Sequence, residues 1–186
     1  MYLDLPDATG ATLAASASKL TAADDDARYG GVSVATTTSL VVQVSFSDGT
    51  TRDMTSDSRV SFSTTDSACG IANQESNTVA TVSGARAAGC SEVVIITTVT
   101  LGEVTLSAND TVPMTFMDRI ELAFVGYPSN NNGVTLTKLY QLECQSDVYQ
   151  HAAPRVTAYL TDGQTNIVTS QSSFASADVS VVSVSG

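Results

Sequence analysis

Four kinds of residue in this sequence have types and spacing that could do chemistry: the carboxylate run Asp24-Asp25-Asp26, three cysteines, a lone histidine and one glycosylation sequon. Adjacent carboxylates in a loop can hold Ca2+, a hard cation that takes about six to eight oxygens. The run TAADDDARYGG lacks the alternating spacing and distant Glu of an EF-hand, so the expected state is a solvated acidic loop, with Ca2+ at Asp24, Asp25 and Asp26 as the sharper alternative. Cys69, Cys90 and Cys144 make an odd number. No second Cys pair or nearby His completes a four-ligand zinc site. With His151 as the single histidine, a Ser-His-Asp or Cys-His centre would have to be built around that residue. No G-x-S-x-G elbow or phosphate-cradling glycine loop accompanies it, and no context singles out a carboxylate pair. The expectation is a non-enzyme with no catalytic residues and no cofactor. Asn109-Asp110-Thr111 is an N-glycosylation sequon, which points to a secretory route.

The elements that would position these residues are strands. Leu40, Val42, Val44 and Phe46 alternate with Val41, Gln43 and Ser45, the period of a half-buried strand. SDGT follows, a hairpin signal in which Gly49 supplies the positive φ. The same arrangement recurs: SFSDGTTRDMTSDSRVSFSTTD aligns with AYLTDGQTNIVTSQSSFASAD, placing Asp48-Gly49 on Asp162-Gly163. Phe62 falls on Phe174, Asp66 on Asp178, and Val79-Ala-Thr-Val-Ser-Gly84 on Val181-Val-Ser-Val-Ser-Gly186. Leu3-Asp-Leu matches Ile120-Glu-Leu. Asp-Gly is therefore expected to be the corner of a module used twice, not a site. Further strands are expected at RVSFS, TVATVSG, EVVIITTVTL and EVTLSAND. Short strands between frequent turns suggest an antiparallel sandwich. ATLAASASKLTAA reads either as a short helix or as strand and loop, and Asn130-Asn-Asn-Gly133 as a turn between strands at 120–126 and 134–143.

Cys69 lies in an insertion of the first copy, because Asp66 to Val79 is much longer than Asp178 to Val181. A Cys69–Cys90 disulfide would tie the insertion to the sheet; two buried thiols are the alternative. A bridge closing a loop of about 20 residues is worth ~3 kcal/mol in the chain-entropy picture. Cys144 has no partner in its own repeat. It is either a buried thiol, or paired with another chain or with sequence beyond Gly186. Pro113 in SANDTVPMTF would stiffen a junction between modules.

The alternating strand, the SDG or TDG turn, the strand ending S-x-D and the VATVSG hairpin together resemble bacterial-type immunoglobulin-like domains of group 2. Such domains occur in tandem in intimin- and invasin-like adhesins and in eukaryotic surface and lumenal proteins. The resemblance covers about 40–108 and 153–186 and implies a tandem of sandwich modules, here 1–114 and 115–186. It departs in the long leading segments and in Gly89-Cys-Ser-Glu-Val-Val-Ile, which replaces the usual G-x-A-x-I-x-V. The expected fold is all-β: tandem immunoglobulin-like antiparallel β-sandwich modules, the second incomplete at its C-terminus. After Gly84 the first copy has strands bearing Val93, Ile95, Val99, Val104 and Leu106; the second copy reaches Gly186 at the equivalent point. A sandwich lacking those strands exposes an edge and an apolar face. The expectation is that the sequence is an excerpt of a longer chain, with strand completion by a neighbouring subunit as the rival.

Composition bounds the partners. Lys and Arg total 8 against 19 Asp and Glu, for a net charge of −11. Phosphate backbones and anionic membranes are repelled by that balance, and no apolar run approaches the ~20 residues of a membrane span. Six Tyr, five Phe and no Trp make a poor sugar-stacking platform. The functional expectation is a structural segment of an extracellular or cell-surface tandem protein, the spacer or building block of an appendage or filament. Its expected partners are neighbouring modules of the same or identical chains. The rivals are an adhesin module binding a host protein or glycan, and an accessory module of a secreted enzyme.

Overall fold

The computed structural model describes residues 6–28, 34–128, 134–142, 150–179 and 184. The fold is all-β, with antiparallel sheets and no α-helix among the described residues. The chain divides into two compact units, 1–29 with 33–117, and 30–32 with 118–186.

Unit 1 contains eight strands: β1 Ala8–Ala15, β2 Thr37–Phe46, β3 Thr51–Asp53, β4 Val60–Thr64, β5 Gly70–Asn73, β6 Thr78–Thr81, β7 Glu92–Leu101 and β8 Val104–Pro113. One sheet runs β1-β2-β6-β5, with β3 sharing the β6 edge of β2; the other runs β4-β7-β8. Alternation decides which side chains meet. Leu40, Val42 and Val44 of β2 are buried while Ser39, Val41 and Gln43 point outward, the period of a one-face-buried strand. Val93, Ile95, Thr97 and Val99 of β7 do the same from the facing sheet. Leu13, Val42, Val44, Val79, Phe62, Ile95, Val99 and Val112 form one core between the sheets.

ATLAASASKLTAA resolves into β1 and irregular chain, because β1 pairs along β2 from Ala8↔Phe46 to Ala15↔Leu40. The insertion after Asp66 contains a strand that the alternation does not reveal: β5 pairs with β6 from Gly70↔Thr81 to Asn73↔Thr78. Gly70 is required there by space. A Cβ would sit 2.9 Å from Cγ1 of Val93 and 3.2 Å from Cγ1 of Val79, closer than packed carbon atoms tolerate.

Unit 2 holds a smaller sheet, ordered β11-β10-β9, from β9 Met117–Gly126, β10 Ala152–Leu160 and β11 Thr165–Ile167; Met117 itself belongs to unit 1. The segment 134–142 meets β9 only through a bridge between Val125 and Thr135 and a bond from Leu136 N to Phe124 O (2.7 Å), and forms no strand of its own. Residues 172–176, the counterpart of β4 when Phe62 falls on Phe174, are not a strand either. The expected turn at Asn130–Gly133 lies outside the described residues.

Candidate functional site

Asp48-Gly49 and Asp162-Gly163 occupy matching corners. In β2–β3, Gln43, Val44 and Ser45 face Asp53, Arg52 and Thr51. In β10–β11, Thr157, Ala158 and Tyr159 face Ile167, Asn166 and Thr165. The single offset that carries Asp48 to Asp162 carries every one of these pairs onto its counterpart. It carries the hydrogen bonds as well. Thr50 N donates to Asp48 Oδ1, and Gln164 N to Asp162 Oδ1, each at 2.9 Å. Val42 N donates to Thr55 Oγ1, and Val156 N to Thr169 Oγ1, again at 2.9 Å. Gly49 and Gly163 have φ of 83° and 82°, the left-handed conformation that glycine adopts without Cβ strain. Thr50 donates to Asp48 from its backbone and its hydroxyl, which holds that carboxyl below its ordinary range. Both carboxylates serve turn geometry.

The acidic run divides its labour. Asp24 accepts Gly84 N on both oxygens, at 2.9 and 3.0 Å. Asp25 is buried; its Oδ1 accepts Ala27 N (2.9 Å) and Met117 N (2.8 Å). Its Oδ2 stands 3.4 Å from Nη1 of Arg86, which also donates to Met117 O and lies over the Phe116 ring at 5.8 Å. Asp26 is exposed in a 3-10 turn, Asp26–Arg28. Two of the three carboxylates are therefore engaged by backbone donors, and Asp25 clasps the chain where it leaves unit 1. Among the described residues, no group of three or more His, Cys, Asp or Glu side chains is arranged to hold a metal ion. Arg86 carries half of this clasp. It stands alone in ARAAG with no charge near it in sequence, so only the fold reveals its role.

Cys69 and Cys90 are joined by a disulfide with Cα atoms 5.7 Å apart. It ties the start of β5 to the turn before β7. A structural disulfide belongs to oxidising compartments and is rare in the cytosol. Among the described residues, no helix is long and apolar enough to cross a membrane. Cys144 lies outside the described residues. Asn109 is exposed on the outward face of β8, and Thr111 of the same sequon is exposed two residues on. Between them, Asp110 points the other way, and its Oδ2 accepts Ala15 N of β1 at 2.8 Å. His151 is exposed just before β10, its ring 6.1 Å from that of Tyr127.

A wide-mouthed depression of about 640 Å3 opens at the opposite end of unit 1 from the clasp, walled by Phe46, Arg52, Arg59, Leu101 and Val104. One of its two guanidinium groups is already engaged: Arg59 donates from Nε and Nη2 to Asp57 at 2.8 and 2.6 Å. That bond holds the Asp57 carboxyl far below its usual range. On unit 2, Arg119 stacks 3.9 Å over Tyr159 and binds Glu121 at 3.0 Å, while Tyr159 OH donates to Glu121 at 2.9 Å. This ladder places Arg119, Glu121 and Tyr159 on one face of the β9–β10 pair. No family model matches this chain, and no curated protein sequence matches it.

Proposed function

We propose that this chain is a structural segment of an extracellular protein built from tandem immunoglobulin-like sandwich modules of the bacterial group 2 type, a spacer or building block of a surface appendage or filament. The observation that carries this reading is the corner repeated position for position in its strand pairs, with its Asx turn and its Thr-hydroxyl bond, in two separate units. A functional site needs its groups once; a building module needs its corner each time it is used. The clasp at Asp25 supports the same reading, because a load-bearing or spacing element must define how the chain leaves each module. The disulfide and the exposed sequon at Asn109 suit a chain that passes through a secretory compartment. No catalytic role is assigned to any residue.

Size-exclusion chromatography with negative-stain electron microscopy of the intact native protein tests this. Linear assemblies, or an elongated particle with regularly spaced modules, are expected. Discrete compact monomers would end the building-block reading.

A further inference from the structure

β7 and β8 turn one face to the core of unit 1 and the other to solvent. Val93, Ile95, Thr97 and Val99 of β7 are buried, while Val94, Ile96 and Thr98 between them are half-buried on the far face. Across the pair, Ile96 faces Asn109 and Val94 faces Thr111. On the other side of β7, Ile96 faces Ser63 of β4, which is exposed. The outer face of this sheet therefore carries an aliphatic pair, Val94 and Ile96, bordered by short polar side chains. β8 stands at the end of the sheet. Alternation puts Asn109 and Thr111 on the same side of that strand, and both are exposed. Asp110 lies between them on the opposite side. Its Oδ2 accepts Ala15 N and its Oδ1 accepts Thr111 N, each at 2.8 Å, which holds the strand with Asn109 and Thr111 outward. Asn109-Asp-Thr111 is the single Asn-x-Ser/Thr triplet of the sequence.

We propose that Asn109 carries an N-linked oligosaccharide whose first sugar lies across Ile96 and Val94. The donor is an oligosaccharide held on a lipid diphosphate. Asn109 Nδ2 bonds to its anomeric carbon and loses one proton; the sugar–phosphate C–O bond breaks, and the lipid diphosphate leaves with the electron pair. Thr111 supplies the hydroxyl that such a triplet requires two residues on. Because the Asn109 amide is exposed, the folded strand accommodates the product without displacing a packed side chain. An N-acetylhexosamine has an apolar ring face and a methyl group, which suit half-buried aliphatic carbons, and its hydroxyls suit the bordering Ser63 and Thr111. Covering Val94 and Ile96 would shield an apolar pair beside a terminal strand, where an unguarded edge invites pairing with another chain. The modification goes beyond the building-block reading and rests only on its secretory part, because the transfer takes place on that route.

The test starts with the native protein. After reduction, trypsin releases the peptide 87–119, and its mass reads the occupancy of Asn109. A mass raised by hexosamine and hexose units, and restored by a peptide-N-glycosidase, is expected. The chain secreted from a eukaryotic cell line should carry the same increment; Asn109→Gln and Thr111→Ala should abolish it, and Thr111→Ser should keep it. These variants sit at exposed positions, and an unchanged thermal melt verifies that they fold. The seat is read by hydrogen exchange of the amides around Ile96. Exchange should be about two- to fivefold faster in Asn109→Gln than in the glycosylated chain, the size of a cross-strand side-chain pair, and Ile96→Thr should erase that difference. An unmodified peptide 87–119 in the native protein overturns the proposal, as does an increment that survives Asn109→Gln. Equal exchange with and without the glycan overturns the seat on Ile96. An unmodified Asn109 on linear assemblies leaves the building-block reading intact, whereas compact monomers that bear the glycan overturn that reading and not this one.

Discussion

The corner at Asp48-Gly49 and the corner at Asp162-Gly163 have the same register and share the Asx-turn and Thr-hydroxyl bonds, yet one lies inside a two-sheet sandwich and the other on a three-stranded sheet. The hairpin therefore does not depend on the sheet that covers it. Its determinants are local: an Asp that caps its own turn, a Gly at positive φ, and a Thr hydroxyl that takes the strand's next free N–H. What the second sheet adds is burial. That difference separates the part of the module specified by short-range chemistry from the part specified by packing.

The largest expected effect breaks the comparison on the side of unit 1. Replacing both Cys69 and Cys90 with Ser should destabilise unit 1 by ~3 kcal/mol and leave unit 2 unchanged, with both read by hydrogen exchange of β7 and β10 amides. Equal loss in the two units would mean that they do not unfold separately. Next, Val42→Ala should cost unit 1 about 2 kcal/mol by opening a cavity between two sheets, and Val156→Ala somewhat less in unit 2, where Val156 is 6% exposed against 0% for Val42. Equal costs would show that the second corner is as tightly enclosed as the first.

Asp25→Ala should cost about 1–3 kcal/mol by stranding the N–H groups of Ala27 and Met117. It should also raise exchange at Met117 while both corners stay protected. Asp25→Asn keeps an acceptor and should recover part of the loss. Thr55→Val and Thr169→Val sharpen the likeness: each leaves one strand N–H unpaired, at Val42 or Val156, so both should cost about 1 kcal/mol in their own unit. A loss at only one would mean that the shared geometry carries different energy in the two places.

The smallest effect is that of acid. The carboxyls of Asp48, Asp53, Asp57 and Glu121 are held below their ordinary values: Asp48 by the Thr50 backbone N–H, Asp53 by the Thr55 hydroxyl, and Asp57 and Glu121 by Arg59 and Arg119. Groups with depressed folded values contribute stability above the unfolded value and lose it as pH falls through the folded one. Thermal stability should therefore be flat near neutrality and decline below about pH 4. The decline should be shallow, because Asp48, Asp53 and Glu121 are exposed and Asp57 is only partly covered, so solvent screens them. A stability that rises on acidification through that range would contradict these assignments.

Much of this molecule is legible in its residues, and the illegible parts have a common cause. Alternation at Leu40–Phe46 and Glu92–Leu101 places those strands and their inward faces, because a two-residue period reflects a sheet with one buried side. The aligned Asp-Gly turns reveal the repeat, because turn chemistry lies within a few residues. β5 is not visible, since its four residues include Gly70, whose lack of a side chain matters only once Val93 and Val79 press on it. The acidic run reads as a Ca2+ candidate or a solvated loop. The fold instead spends Asp24 and Asp25 on backbone groups far along the chain, at Gly84 and Met117. Sequence alone thus determined what is local: strand period, turn type and the repeated corner. Tertiary structure decided what depends on distant partners: the clasp formed by Asp25 and Arg86, the space that only Gly70 fits, and the contrast between a covered Leu13 and an open Leu122. The physical reason is that hydrogen bonding within a turn needs only neighbours in the chain, whereas burial is a property of whatever surface the fold brings to the opposite side.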